Sequence, residues 1–227
     1  MTTSPSRTRW PRVVPAAARG AAPAPPPGTV RAGWSGVVGG LLGAVQAAVV
    51  LAWPDQVGPE RYSHPFDAGG WVVAQLSFAL QHLLLLVLVL GLARLAWRPR
   101  SWLTRSGLVV TAVGLVVLTG CELFALTAAS APVGSPAATA VDTSYGLPMT
   151  VLGVGLLLAG VGSARRGPLP GRTRWLPLVL GGYVFAVLVP AVFGTDLAGR
   201  LAIGGWMLLF AVLGWALVRV GQGAGPP

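Results

Sequence analysis

The chain has 227 residues, of which 54% are hydrophobic and only 10% are charged. An ordinary soluble domain carries about 25% charged residues, so this composition excludes one. The sixteen basic residues are all arginine, the acidic residues number six, and the formal net charge is +10. Since the arginines flank long apolar runs, we expect them to contact anionic lipid head groups rather than nucleic acid.

The amino-terminal segment 1–32 combines arginine with alanine and proline, and four prolines lie between Ala22 and Gly28. Prolines this dense exclude a helix and favour an extended, solvated chain. We therefore predict a disordered cytoplasmic tail over residues 1–32 and a second, short cytoplasmic tail over residues 221–227. A cleaved signal peptide fits poorly, because the apolar run that follows the tail is too long for one.

Six apolar runs follow, and most reach the roughly 20 residues that a helix needs to cross about 30 Å of hydrocarbon. We predict helices over Gly33–Trp53, Gly70–Trp97, Trp102–Ala128, Tyr145–Val161, Trp175–Phe193 and Leu201–Val220. The segment Ser130–Ser144 is small and nearly uncharged, and we expect it to be a loop over the mouth of the bundle. The predicted fold is an all-α, polytopic integral membrane bundle, with one six-helix transmembrane domain over residues 33–220.

If all six runs cross, the charged residues sort to two sides of the bilayer. Fourteen of the sixteen arginines fall on one side, and the other side holds only Arg61 and Arg200. Five of the six carboxylates fall on that second side, namely Asp55, Glu60, Asp67, Asp142 and Asp196. Because positively charged loops stay in the cytoplasm, both termini are predicted to be cytoplasmic. The chain has no lysine or asparagine, which suggests GC-rich codons and favours a bacterial plasma membrane.

Tryptophans and small residues indicate how the helices are anchored and packed. Six tryptophans lie at predicted span ends, as expected of rings at the level of the head groups, whereas two lie inside the last span. The pairs Gly36/Gly40 and Gly39/Gly43 are GxxxG motifs. They favour a tight contact within the chain, with a homodimer or a membrane partner protein as the alternative. Pro190 is expected to kink the fifth span.

Four polar residues inside the predicted spans are candidates for function, because burying such groups in lipid is costly. Glu122 is the only carboxylate within a span, and it lies roughly 25 Å from the cytoplasmic side. His82 lies roughly 18 Å from the outer side, and Gln75 shares its helix face because seven residues separate them. Gln46 reaches a similar depth, so we predict an intramembrane polar cluster of Gln46, Gln75, His82 and Glu122.

The predicted cluster has two interpretations. In the first, the four side chains form a polar pathway open to the outer side, with His82 titrating near physiological pH. In the second, they make interhelical hydrogen bonds that hold the bundle together, each contributing about 0.6 kcal/mol. We favour the second interpretation.

Catalytic and cofactor-binding motifs give no further functional prediction. The sequence contains no Walker A, G-x-S-x-G, H-E-x-x-H or C-x-x-C motif, and we predict no catalytic residue, metal site or cofactor. The outer connection holds Asp55, Glu60, His64 and Asp67, but their spacing matches no established metal site. The first functional prediction is a non-enzymatic accessory or structural membrane subunit. The second is a small transporter or channel that uses the polar cluster, and the third is a membrane-embedded enzyme acting on lipid or quinone.

Overall fold

The computed structural model describes residues 24–96 and 101–223. Residues 1–23, 97–100 and 224–227 lie outside these ranges, and with them most of the two predicted tails. Within the described ranges the regular secondary structure is helical, apart from a single antiparallel bridge between Arg61 and Pro132. Six helical segments of 22 to 30 residues are long and apolar enough to cross a membrane, which confirms an all-helical fold with six candidate spans.

The helices alternate with short connections, and two of the six candidate spans contain irregular turns. The first, second, fourth and sixth spans are the helices α1 (Thr29–Ala52), α2 (Ala68–Ala96), α4 (Pro136–Arg166) and α7 (Asp196–Gly221). The third span is α3 (Trp102–Ala125) followed by a 3₁₀ turn, Leu126–Ala128. The fifth span comprises a 3₁₀ turn, Gly171–Trp175, then α5 (Leu176–Tyr183), a π turn, Val184–Leu188, and α6 (Val189–Val192).

The helix α4 begins nine residues before the predicted start at Tyr145, so the prediction of a loop over Ser130–Ser144 is wrong for most of that segment. Ser135 caps the helix by accepting a hydrogen bond from the Ala138 amide at 3.3 Å, and proline fits the first helical position. Val141 is fully buried against the end of α3. The segment is short of large apolar residues, so hydropathy alone did not indicate a helix.

The six spans form a closed ring. Each span packs antiparallel to the next along the chain, and α7 closes the ring against α1. The interior is filled by fully buried leucines and by Phe210, whose ring packs edge-on against Trp206 with the centroids 5.0 Å apart. The leucines are Leu85, Leu88, Leu92, Leu108, Leu115, Leu118, Leu152, Leu156, Leu180, Leu188, Leu213 and Leu217. Against this apolar filling, a buried polar side chain is conspicuous.

Because the spans alternate in direction, the connections gather at two ends of the bundle. The acidic end, where α1 meets α2, α3 meets α4 and α6 meets α7, holds Asp55, Glu60, Asp67, Asp142 and Asp196. The basic end is the opposite one, and its described arginines are Arg31, Arg94, Arg105, Arg165, Arg172, Arg174 and Arg219. The two exceptions are Arg61 and Arg200, which lie at the acidic end.

The glycines of α1 are contact points inside the bundle. A Cβ atom on Gly40 would lie 2.5 Å from Met207 O and 2.5 Å from Ala211 N, which are backbone atoms of α7. Gly36 and Gly39 lie instead against leucine side chains of α2. The prediction of a tight contact within the chain is confirmed, and both GxxxG pairs are used there.

Two tryptophans inside α7 have separate roles. Trp206 is 2% exposed, and its Nε1–H donates to the carbonyl oxygen of Leu180 at 3.0 Å, which joins α7 to α5. Trp215 is 47% exposed and lies edge-on to Trp34 near the basic end, with the ring centroids 5.7 Å apart. Trp215 therefore follows the same end-of-span pattern as the other tryptophans.

The fifth span is irregular where Pro190 predicts a kink. Only Val189 separates the π turn Val184–Leu188 from this proline. A proline ring crowds the carbonyl group four residues earlier, here that of Ala186, and a π turn is one way in which a helix accommodates such crowding. The irregularity beside this proline is thus a local change in helical winding.

Candidate functional site

A group of buried polar side chains joins α2, α3 and α4 near the acidic end. Glu122 of α3 is 6% exposed, and its Oε2 accepts a hydrogen bond of 2.8 Å from the Tyr145 hydroxyl of α4. On the other side, Glu122 Oε1 lies 3.7 Å from Nδ1 of His82, which is 8% exposed. One carboxylate is thus held between a phenol and an imidazole, each from a different helix.

His82 and Glu122 meet because of the direction of their side chains. Side chains on an α-helix lean toward its N-terminus. The helix α2 begins at the acidic end, so His82 leans toward that end, whereas α3 begins at the basic end, so Glu122 leans away from the acidic end. The two side chains therefore close the axial gap that the helical rise leaves between their backbones. Depths counted from the rise alone place His82 and Glu122 at different levels.

The other two predicted cluster residues have different surroundings. Gln46 of α1 donates a hydrogen bond from Nε2 to Ser77 Oγ of α2 at 2.6 Å, so it joins α1 to α2. Gln75 is 3% exposed and lies two turns from His82 on the same face of α2. The structure thus brings His82 and Glu122 together and directs Gln46 to another helix pair.

Several buried polar atoms of α1 and α2 have no hydrogen-bond partner. Within the part of the chain that the structure describes, His82 Nδ1, Gln75 Oε1 and Gln46 Oε1 are buried and have no hydrogen-bond partner. A buried polar atom without a partner costs about 1–3 kcal/mol. Most such atoms in proteins are paired, so the unpaired Nδ1 of His82, which faces Glu122 Oε1, distinguishes this pair from the other polar contacts of the bundle.

A second polar pair lies between this group and the acidic end. Tyr62, in the connection between α1 and α2, donates a hydrogen bond to Asp142 Oδ1 of α4 at 2.6 Å. Its ring also packs edge-on against Trp71, whose Nε1–H donates to the carbonyl oxygen of Ala125 at 3.0 Å. Asp142 is exposed, so the pair connects the surface to the beginning of α2 and the end of α3.

The charges around Tyr62 show how close the two polar groups are. Burial, the hydrogen bond to Asp142, and the negative charges of Asp142 and Glu122 raise the pKa of Tyr62 well above its usual value, whereas the Arg200 guanidinium opposes this effect. Glu122 and Arg200 are therefore both within electrostatic reach of the Tyr62 hydroxyl. Arg200, in the first turns of α7, is partly buried and also interacts electrostatically with Glu122 and Tyr145.

The surroundings of the polar group differ toward the two ends of the bundle. Toward the acidic end it continues through Tyr62 to the exposed carboxylate of Asp142. Toward the basic end, fully buried leucines of α2 and α3 follow directly, namely Leu85, Leu88, Leu115 and Leu118. On this side α3 still carries Thr119, but its hydroxyl donates to the Leu115 carbonyl oxygen of the same helix.

The polar residues of the α1–α2 connection make local contacts instead of gathering. His64 Nε2 lies 3.6 Å from Asp55 Oδ1, and its Nδ1 lies 3.0 Å from the carbonyl oxygen of Val57. Asp67 caps α2 by accepting from the Gly70 amide at 2.7 Å. In residues 24–96 and 101–223, no three His, Cys, Asp or Glu side chains converge as metal ligands would.

Four residues of the site were not among those predicted from the sequence: Tyr62, Asp142, Tyr145 and Arg200. Arg200 had a signal in the sequence, because it is one of two arginines on the side that otherwise holds the carboxylates. An arginine at that end is expected to have a specific partner. The two tyrosines had no such signal, since an aromatic residue at the end of a span is common.

Comparison with known protein families, curated proteins and solved structures gives no match for this chain. Its function is therefore inferred from contacts, burial and charge. The arrangement of a carboxylate between a phenol and an imidazole offers hydrogen bonds and an exchangeable proton. It has no serine, cysteine or lysine placed as an activated nucleophile, since the neighbouring Cys121 thiol donates to the Ser144 carbonyl oxygen.

Proposed function

We propose that the protein is a multi-pass integral membrane protein of a bacterial plasma membrane, with both termini in the cytoplasm. The observation that carries this proposal is the combination of six apolar helical segments with a division of charge between the two ends of the bundle. Arginine-rich connections are retained in the cytoplasm, so the basic end faces inward and the acidic end outward. The basic end then meets anionic lipid head groups, to which arginine is attracted.

The orientation is tested by labelling single cysteines with a membrane-impermeant maleimide in intact cells. Cys121→Ser first removes the native thiol while keeping a donor for the Ser144 carbonyl oxygen. Ser130→Cys at the acidic end should label in intact cells, and Gln222→Cys at the basic end should label only after permeabilisation. Both positions are exposed, so they form a matched pair. The reverse labelling pattern would refute the orientation.

We propose a non-enzymatic role as the first function, that of an accessory or structural membrane subunit. Polar contacts in the bundle act mainly as links between helices, which supports this role. The Gln46–Ser77 bond joins α1 to α2, the Tyr145–Glu122 bond joins α3 to α4, and the Trp206 indole joins α7 to α5. Co-purification in a mild detergent tests this function: a stoichiometric membrane partner, or a homodimer, is expected, and a strictly solitary chain would contradict it.

The second proposed function is a small transporter or channel that uses the buried polar group. The approach of His82 Nδ1 to Glu122 Oε1 favours it, because both groups are buried and Tyr62 and Asp142 connect their surroundings to the acidic end. Buried ionisable groups within membrane spans commonly mark the path of an ion or a substrate. The third function considered, an enzyme acting on lipid or quinone, needs an outer-loop acid that converges with Glu122 and His82. Asp55 and Asp67 make their contacts within the α1–α2 connection and Asp142 is bound by Tyr62, so we do not propose it.

The transport function is tested with two double variants. In the first, His82→Gln with Glu122→Gln removes both titratable groups while keeping polar side chains of similar size. In the second, His64→Gln with Asp55→Asn makes the same change in the exposed pair of the α1–α2 connection, whose atoms lie at a comparable distance. Flux into proteoliposomes and growth should change only with the first. Unchanged growth and flux in the first variant would refute the transport function.

A further inference from the structure

We propose that Glu122 and His82 together bind one proton, which they exchange with water at the acidic end of the bundle. This inference rests on the second proposed function and identifies the ion handled by that site as a proton. The proton comes from the aqueous phase and forms an N–H or O–H bond within the pair, and no other bond changes. The site needs no cavity, because the bound species lies on the hydrogen-bond line between two side chains.

The distribution of donors and acceptors supports a proton as the missing species. Glu122 Oε2 receives its hydrogen bond from Tyr145, whereas Glu122 Oε1 faces His82 Nδ1 at 3.7 Å. Nδ1 is buried without a partner; in the tautomer that carries its proton on Nε2 it is an acceptor, as is the remaining oxygen of an ionised carboxylate. One proton placed between Nδ1 and Oε1 turns two facing acceptors into a donor and an acceptor, and the two side chains need to close by less than an ångström to form a hydrogen bond.

Titratable groups from each neighbouring element surround the pair. Glu122 contacts Tyr145 of α4 in addition to His82 of α2, and Cys121 precedes it in α3. Farther out are Tyr62 of the α1–α2 connection with its partner Asp142 of α4, and Arg200 of α7 with its partner Asp196. Arg200 is the only cation in this set, and it interacts with Asp196 as well as with Glu122. Because its charge is shared between two carboxylates and it belongs to α7, proton uptake by Glu122 weakens the attraction of α7 for α3.

The route to the site is also one-sided. Asp142 is exposed at the acidic end and accepts a hydrogen bond from Tyr62, which lies within electrostatic reach of Glu122. On the other side of His82, Leu85 and Leu88 are fully buried and offer no polar group. Protons therefore reach the pair from the acidic end in this conformation, and release to the basic end requires the leucine-lined contact to open.

The experiment measures proton binding directly, without any transported solute. Infrared difference spectra between acid and alkaline buffer are recorded on the full chain in lipid nanodiscs. Carboxylic-acid carbonyl absorption is expected to appear on acidification, and the band that Glu122 contributes should vanish in Glu122→Gln. It should remain in Asp55→Asn and Glu60→Gln, which remove exposed carboxylates of the α1–α2 connection. Where Glu122→Gln does not fold, Glu122→Asp replaces it and should shift the band. A band that survives unchanged in the Glu122 variants would refute the proposal.

The sharing of the proton is tested through the two histidines of the chain. His64→Gln leaves His82 as the single imidazole, so its ¹⁵N resonances are unambiguous. The His82 resonances should change over the same pH range as the carboxylic-acid band, and Glu122→Gln should abolish that change. If His82 and Glu122 titrate independently of each other, the proposal that they share one proton is refuted. Proton binding with no solute flux would reject the transport function alone, so the two failures are distinguishable.

Discussion

Substitution of Gly40 by alanine tests whether close approach of α1 and α7 holds the ring closed. A Cβ atom at this position would lie 2.5 Å from two backbone atoms of α7, Met207 O and Ala211 N, whereas ordinary contact begins near 3.4 Å. The two helices must therefore separate locally by about 0.9 Å. A gap of 0.5–1 Å already loses a quarter to a half of the dispersion energy of each contact. Overpacking of this kind costs about 1–3 kcal/mol, or about 5- to 150-fold in the unfolding equilibrium.

Two control substitutions separate this cost from the intrinsic preference of alanine for helices. Gly204→Ala lies in the same pair of helices, but its Cβ would be 3.4 Å from Ala47, an ordinary contact. Gly120→Ala, in α3, has no atom within 4 Å of the added carbon. Alanine gains about 0.5–1 kcal/mol over glycine in a helix, so both controls should match or exceed the wild-type stability.

The measurement is the free energy of unfolding of the purified protein in mixed micelles, with denaturing detergent as the variable and tryptophan fluorescence as the signal. Gly40→Ala should lose about 1–3 kcal/mol relative to Gly204→Ala. If the three variants unfold together, the α1–α7 contact does not depend on the absence of a side chain at Gly40. The reasoning about the glycine stripe would then be refuted.

Three further predictions concern single hydrogen bonds. Trp206→Phe removes a buried indole donor and should lower the free energy of unfolding by about 1 kcal/mol. Trp215→Phe makes the same change at an exposed position of the same helix and should have less effect. Equal losses in the two variants would contradict the role of the Trp206 indole. Ser135→Ala removes the cap of α4 and should cost about 1 kcal/mol, seen as faster amide exchange in the first turns of α4 and nowhere else. The raised pKa of Tyr62 keeps its phenol protonated in the folded state at a pH near 10.0, where an unfolded tyrosine ionises. The contribution of the Tyr62 phenol to stability is therefore complete below that pH and is lost as the pH rises above it. The unfolding temperature of Tyr62→Phe should therefore fall less steeply with rising pH than that of the wild type in alkaline buffer. Parallel pH profiles of the two proteins would argue against the raised pKa.

The helical segments were predictable because apolar runs of this length have few alternatives. Five of the six predicted segments overlap their helices over most of their length. The remaining helix, α4, was also predicted, but it begins earlier than expected. Its first turns carry alanine, threonine and serine, which are helical here because Ser135 caps them and Val141 packs on α3. Hydropathy does not register small residues whose helical state depends on a neighbouring helix.

The candidate site was predictable only in part. Glu122 and His82 were identified because ionisable groups are rare within apolar runs. Gln46 was expected beside His82 from its depth, and the structure directs it to Ser77 because α1 packs against a different face of α2. Tyr145 and Arg200 come from helices whose position relative to Glu122 depends on the order of the ring.

Composition and charge therefore determine the class of the protein, its number of helical segments and the opposite character of its two ends, because each of these properties belongs to one segment at a time. The partners of Glu122 depend on which helices are neighbours, on how each is rotated about its axis and on the direction in which its side chains lean. Those quantities arise from contacts between segments far apart in the chain, such as the approach of Gly40 to α7. Only the packed bundle decides them, because the free energy of such a contact depends on both helices together.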